Sequence, residues 1–189
     1  MPEAVKETSR SGFMRRITPR IVRRFARKDD GAAAIEFAMV AAPFLALMFA
    51  ILETAIVFFA GQVLETATAD SARLVMTGQA QKGGLNQQQF KEEVCKRVLA
   101  LFDCDGGIKV DVRTYSSFAA ANTSKPIDAN GNVTFTPAWQ PGSPGDIVVV
   151  RLLYEWPVHV SLLGLNLADL SGGKRLLMAT AAFRNEPFQ

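Results

Sequence analysis

The stretch Gly31-Ala-Ala-Ala-Ile-Glu-Phe37 joins a basic N-terminal tail to a long apolar run. Within that run, Glu36 is the only charged residue between Asp30 and Glu53. A carboxylate just inside a segment of membrane length is costly, and such residues usually serve a function and have a partner. The position of Glu36 therefore decides how the N-terminal part of the chain is interpreted.

The spacing between Gly31 and Glu36 suggests a partner. Cleavage after Gly31 would make Ala32 the new N-terminus and leave Glu36 as its fifth residue, so a peptidase would create a free amine with which the carboxylate can pair. The simpler alternative is a boundary glutamate that reaches back to the membrane surface, because Glu36 lies only about 7 Å along a helix from Gly31.

The positive charge of the chain is concentrated in its tail. The 189 residues carry a net charge of +3, but residues 1–28 contain nine Lys and Arg against two Glu, so the tail carries +7 and the rest about −4. Beside an apolar run, Lys and Arg mark the cytoplasmic side. We therefore expect a cytoplasmic N-terminus, with everything after about residue 60 outside, and no nucleic-acid partner.

The apolar run is too long for the core of a secretory signal. Sixteen uncharged residues extend from Phe37 to Leu52, and the apolar character resumes after Glu53. A spanning helix needs roughly 20 residues, and the segment from Gly31 to about Ala60 supplies them. The sequence thus predicts a single lipid-embedded anchor, with Glu53 near its far interface.

The sequence divides into a basic cytoplasmic leader (1–31), a transmembrane and stalk helix (32–78) and an extracytoplasmic head (79–189). Apolar residues at three- and four-residue steps predict that the first helix continues to residue 77, where Gly78 stops it. In the head we expect a polar loop over 79–86, a helix over 87–102 with Asn86 as its N-cap, strands over 108–115, 147–156 and 174–184, and a long loop over 116–146. Apolar and charged residues alternate in the first strand, which predicts that it is half-buried. A short strand at 133–135 and a loop or short helix at 160–172 are further options. The fold class is α+β, a long helix packed on a small antiparallel sheet.

Cys95 and Cys104 are the only cysteines. An extracytoplasmic head allows them to form a disulfide; two free, partly buried thiols are the alternative. A metal site is not expected, because His159 is the only histidine. A catalytic histidine also needs a nucleophile and an orienting acid. The sequence shows no such set and no phosphate-loop spacing, so we expect neither an enzyme nor a cofactor.

The sequence around the junction resembles the TadE-like family of minor pilins or pseudopilins in tight-adherence (Flp) type IV pilus systems. The similarity includes Gly31 to Ala38, the apolar run with Pro43, and Glu53. It extends over residues 65–78, with Ala72-Arg73 and Thr77-Gly78, and returns in the closing Phe183-Arg-Asn-Glu-Pro-Phe188.

The resemblance implies that a prepilin peptidase cuts between Gly31 and Ala32. It further implies that Glu36, followed by Phe37, pairs with the Ala32 amine of a neighbouring subunit during assembly. Its implied partners are the peptidase, other pilins and inner-membrane pilus assembly proteins. Its implied location is the bacterial inner membrane, with a periplasmic head, or the pilus itself. The competing hypothesis is an uncleaved bitopic envelope protein that serves as a scaffold or partner-binding component of the secretion machinery.

Overall fold

The computed structural model describes residues 29–98, 101–159 and 166–188, so the predictions for the leader up to residue 28 and for residues 160–165 lie outside it. Its helices are α1 (Asp29–Met76), α2 (Gln79–Lys82) and α3 (Gln87–Cys95). Its strands are β1 (Lys109–Tyr115), β2 (Ile147–Pro157) and β3 (Lys174–Arg184), and a 3₁₀ turn covers Phe118–Ala120.

Helix α1 changes character along its length. Contacts divide the chain into two compact units, one ending at Leu45 and the other beginning at Ala46. In the first unit, the side chains from Ala32 to Val40 are all exposed. In the second, one stripe of α1 is buried at steps of three and four residues, the spacing of a helix face that packs on a core. This stripe consists of Ala50, Glu53, Val57, Ala60, Leu64, Ala67, Ser71 and Val75.

The three strands form one antiparallel sheet in the order β1-β2-β3. Side chains alternate between the two faces of a strand, and one face packs with the buried stripe of α1 in a single apolar core. On the sheet side this core contains Val110, Val112, Val148, Val150, Leu152, Leu177 and Ala179. The predicted α+β class, a long helix on a small three-stranded antiparallel sheet, is confirmed.

The opposite face of the sheet is also covered. A second cluster joins Leu153, Leu170 and Leu176 to Ile127, Val133 and Phe135 from the loop over 116–146. Asp111, expected on the exposed face of a half-buried strand, is instead fully buried. Its carboxylate accepts bonds from Arg151 Nη2 (2.6 Å) and Arg113 Nε (3.0 Å) and from the backbone N–H of Ala138 (2.9 Å). These bonds hold the loop against the sheet.

The structure corrects the predicted end of the second helix. The sequence predicts a helix to residue 102, but α3 ends at Cys95 and a turn follows. Residues nine apart in a helix lie about 13 Å apart, whereas the Cα atoms of Cys95 and Cys104 are 5.9 Å apart and a disulfide joins them. The chain must therefore reverse after Cys95. The predicted N-cap is correct, because the Asn86 side chain accepts the backbone N–H of Gln89.

Two smaller predictions also differ from the structure. The segment expected to be a polar loop over 79–86 contains the short helix α2, which places Ala80 in the core. At 133–135 there is only an isolated bridge between Ile127 and Val133. The three predicted strands are observed within one residue of their expected bounds: β1 begins one residue later, β2 ends one residue later at Pro157, and β3 is as expected.

The C-terminal residues close the end of α1. The backbone N–H of Glu186 donates to Met76 O (2.9 Å), and the buried Asn185 amide donates to the carbonyls of Pro141 (2.9 Å) and Ser143 (3.1 Å). The Phe188 ring covers Gly78, where a Cβ atom would lie 2.2 Å from it and φ is +76°. Only glycine suits both conditions. The two end motifs noted in the sequence are therefore in contact.

Candidate processing and assembly site

The segment from Gly31 to Phe37 lies on the first turns of α1. Gly31 is half-buried, whereas every side chain from Ala32 to Phe37 is exposed, Phe37 by 75%. Among the described residues, Glu36 forms no hydrogen bond or ion pair. The predicted site residues Gly31, Ala32, Glu36 and Phe37 thus share one exposed helix end, and the carboxylate is available to another molecule.

The Gly31–Ala32 peptide bond lies where a helix opens most easily. The first four N–H groups of a helix have no partner within it, and α1 begins at Asp29. Glycine costs about 1 kcal/mol relative to alanine in a helix. Cleavage after Gly31 would leave a positively charged amine at the helix N-terminus, where positive charge is unfavourable, so a carboxylate would be needed to balance it.

The surface that follows Glu36 is apolar and exposed. Phe44 is 63% exposed and Val40 70% exposed. From Gly31 onward, α1 is long and apolar enough to cross a membrane, and among the described residues it is the one helix that meets this test. These properties are those of a single-pass membrane anchor.

The second acidic residue of the apolar run, Glu53, is held by the head. It is 9% exposed, and its Oε1 accepts the backbone N–H of His159 at 2.7 Å. The imidazole of His159 is itself exposed. Sequence reasoning placed Glu53 near the far interface but missed this contact, because its two residues are 106 positions apart.

The remaining candidates lie in the head and form no reactive cluster. Cys95 and Cys104 are paired, so neither is a free thiol. Among the described residues, no group of three or more His, Cys, Asp or Glu side chains could hold a metal ion. Glu155, an acidic residue on β2, forms ion pairs with Lys109 (2.8 Å) and Lys174 (3.2 Å). The hydrogen bond from Lys109 is the main reason that the pKa of Glu155 is lowered, and this arrangement ties three strands together.

Comparison with known proteins gives one match. A family model described as TadE-like protein matches residues 31–73, which lie entirely on α1. No curated protein and no solved structure matches the chain. The matched segment begins at Gly31 and includes Glu36, Phe37 and Glu53. The chain thus carries a TadE-like N-terminal segment, and the resemblance predicted from its sequence is confirmed.

Proposed function

We propose that this protein is a membrane-anchored pseudopilin, or minor pilin, of a tight-adherence pilus. A prepilin peptidase removes residues 1–31, and the processed subunit is needed to assemble a pilus for surface attachment. The observation that carries the proposal is Glu36: an exposed carboxylate without a partner among the described residues, five positions after Gly31, on an otherwise uncharged apolar helix surface.

Processing solves a physical problem of assembly. The basic leader cannot cross the apolar layer, so an uncleaved chain stays in the membrane with its N-terminus in the cytoplasm. Cleavage removes the nine basic residues of the leader together with Asp29 and Asp30. The new α-amine is largely protonated at neutral pH, so the mature helix starts with one positive charge.

Assembly then pairs that charge with a neighbour. When α1 leaves the bilayer for a helical bundle, Glu36 of one subunit accepts the Ala32 amine of the next. Burying either charge alone costs several kcal/mol, so the pair fixes the register between subunits. The small side chains near the N-terminus let the helices approach closely. They are Ala32, Ala33, Ala34, Ala38, Ala41 and Ala42.

The proposed partners follow from this pathway. They are the prepilin peptidase, the other pilins of the fibre, the inner-membrane assembly proteins and the lipid bilayer. The head lies in the periplasm, where an oxidising compartment supports the disulfide between Cys95 and Cys104. The role is structural and not enzymatic, as is general for pilin-type proteins.

The variant Glu36→Gln tests the role of the carboxylate. We expect normal insertion and normal removal of the leader but loss of pili and of surface attachment, because the amide has no charge to offer the Ala32 amine. Pili are counted by electron microscopy, and attachment is measured by a biofilm assay. Glu65→Gln is the matched control, an exposed glutamate on the same helix that lies beyond the apolar run.

A strain that lacks the whole protein separates the function of the protein from the role of Glu36. If cells lacking the whole protein assemble pili and attach as well as the parent, the proposed function is wrong. If deletion abolishes pili and Glu36→Gln does not, the protein still serves assembly but the pairing mechanism fails. Glu65→Gln should behave as the unaltered protein in both assays.

A further inference from the structure

The head first contacts α1 at one level of the helix. Ala50 and Glu53 are the first buried residues along it, and Glu53 is bonded to the backbone of His159, which follows the end of β2. On the neighbouring faces, Leu52 and Ile56 are half-exposed. The helix therefore has an apolar outer surface at the level where the head begins.

A cleft lies at this contact. It encloses about 250 Å³ and is lined by Phe49, Leu52, Glu53, Ile56 and His159. The Glu53 carboxylate accepts the backbone N–H of His159. Among the described residues, the other side chains that line the cleft are those of Phe49, Leu52, Ile56 and His159, three of them apolar. Such a lining suits an apolar chain rather than a charged or polar ligand.

The level of the cleft coincides with the expected edge of the bilayer. An apolar layer about 30 Å thick is crossed by about 20 helical residues. A span that begins near Ala32 therefore ends near Glu53. A cleft at that level opens toward the boundary between lipid tails and headgroups.

The adjacent end of the sheet has the composition of a membrane interface. Trp156, the residue before the end of β2, pairs with Arg175 of β3, and it packs in an aromatic group with Tyr154 and Phe102. Tryptophan and tyrosine are enriched where a protein crosses the headgroup layer. Two lysines, Lys109 and Lys174, flank Glu155 there, so these three side chains together carry a net charge of +1, which suits a surface of phospholipid headgroups.

We propose that this cleft holds an acyl chain of a phospholipid in the outer leaflet, and that the sheet end from Trp156 to His159 rests in the headgroup layer. This inference rests on the proposed membrane anchoring. It assigns to Glu53 the task of tying the head to the helix at the membrane surface, so that the head has a fixed orientation on the bilayer.

Tryptophan quenching by brominated lipids tests the position of the sheet end. The full chain is reconstituted into phosphatidylcholine vesicles whose lipids carry bromine at a chosen depth. Trp139 and Trp156 are the only tryptophans, so Trp139→Phe reports on Trp156 and Trp156→Phe reports on Trp139. Trp139 bridges to Val112, whose partner Val150 lies six residues along β2 from Trp156, or about 20 Å.

We expect bromine near the headgroups to quench Trp156 more than deep bromine does, and to leave Trp139 unquenched. The inference would be overturned if the emission of Trp156 were the same with and without bromine in the lipid.

Lipids with a photoactivatable acyl chain test the cleft itself. We expect cross-links to the segment containing residues 49–56 and to His159, reduced several-fold by Ile56→Trp, which fills the cleft. Ile51→Trp, at an exposed position that does not line the cleft, should keep them. Equal cross-linking in both variants would contradict the inference. Cross-linking of the cleft to a second protein chain in place of lipid would also overturn it.

A third variant separates this inference from the anchoring on which it rests. Trp139→Phe and Trp156→Phe are combined with Phe44→Trp, which places the only tryptophan in the apolar run. If deep bromine quenches this residue but no bromine quenches Trp156 in its own variant, the anchor stands and the inference fails. If the tryptophan at position 44 is not quenched, both fail.

Discussion

Two carboxylates show how the same chemical group serves opposite purposes in this chain. Asp111 is fully buried, and every bond that it accepts comes from within the head. Glu36 is exposed and has no partner among the described residues. A buried acid that is fully bonded stabilises a fold, whereas an exposed acid in an apolar surface is available to another subunit. Their surroundings therefore assign Asp111 to stability and are compatible with the role in assembly that we propose for Glu36.

Asp111→Asn should destabilise the head. The amide cannot balance Arg151, which is 6% exposed, and breaking a buried ion pair from one side typically costs about 3–5 kcal/mol. The measurement is urea unfolding of the full chain in detergent, followed by tryptophan fluorescence. Asp105→Asn, at an exposed position, should change the free energy of unfolding by less than about 0.5 kcal/mol. Equal stability of the two variants would contradict the assigned role of Asp111.

At the scale of elements, the ends of strands and helices are fixed by contacts that local sequence only partly reveals. The bounds of β3 are predicted correctly because Gly172-Gly173 precede it and Asn185 follows, where the chain turns toward the loop at 141–146. The end of α3 is predicted seven residues too late, because Val98 and Phe102 continue the apolar spacing although the disulfide reverses the chain.

In the candidate site, too, the sequence predicts the position of neighbouring residues but not contacts between distant ones. Gly31, Ala32, Glu36 and Phe37 are adjacent in sequence, so their shared position on one helix end could be predicted. The bond between Glu53 and His159 and the burial of Asp111 depend on residues far apart in the chain. Alternation of apolar and charged residues in β1 predicts one exposed face; only the folded loop over 116–146 shows that this face is covered.

The disulfide should stabilise the exit from α3. Closing a loop of this length contributes about 2–3 kcal/mol in the chain-entropy model. We expect dithiothreitol to lower the unfolding midpoint of the unaltered chain by the same amount as the double variant Cys95→Ser, Cys104→Ser. The double variant itself should not respond to reductant. A midpoint that is the same in oxidised and reduced chains would contradict this assignment.

The ladder Lys109–Glu155–Lys174 should make the sheet sensitive to acid. The pKa of Glu155 is lowered in the folded chain from its ordinary value of 4.5, first by the hydrogen bond from Lys109 and then by that from Lys174. Its contribution is therefore complete above about pH 4.5 and is lost as the pH falls through the lower, folded pKa. Unfolding midpoints measured between pH 3 and pH 7 should fall less steeply for Glu155→Gln than for the unaltered chain. Parallel profiles would rule out this contribution.

At the scale of the whole molecule, three parts of the chain have separable physical tasks. The leader (1–31) carries nine basic and four acidic side chains, a net charge of +5, which in our proposal sets the orientation. The apolar part of α1 has the properties of a membrane anchor, and the α+β head provides a stable folded body. The TadE-like segment covers the anchor and the first part of the stalk. In the proposed pathway, the anchor is released into a fibre only after the leader is removed, while the anchor and the head stay intact.

The mature N-terminus tests that central claim most directly. Protein purified from the native membrane is analysed by intact-mass and N-terminal peptide mass spectrometry, with Gly31→Leu as the processing-defective control. The account predicts that the unaltered chain begins at Ala32 and that the control keeps its leader. A mature chain that begins at Met1 or Pro2 would contradict the account and favour the uncleaved envelope protein.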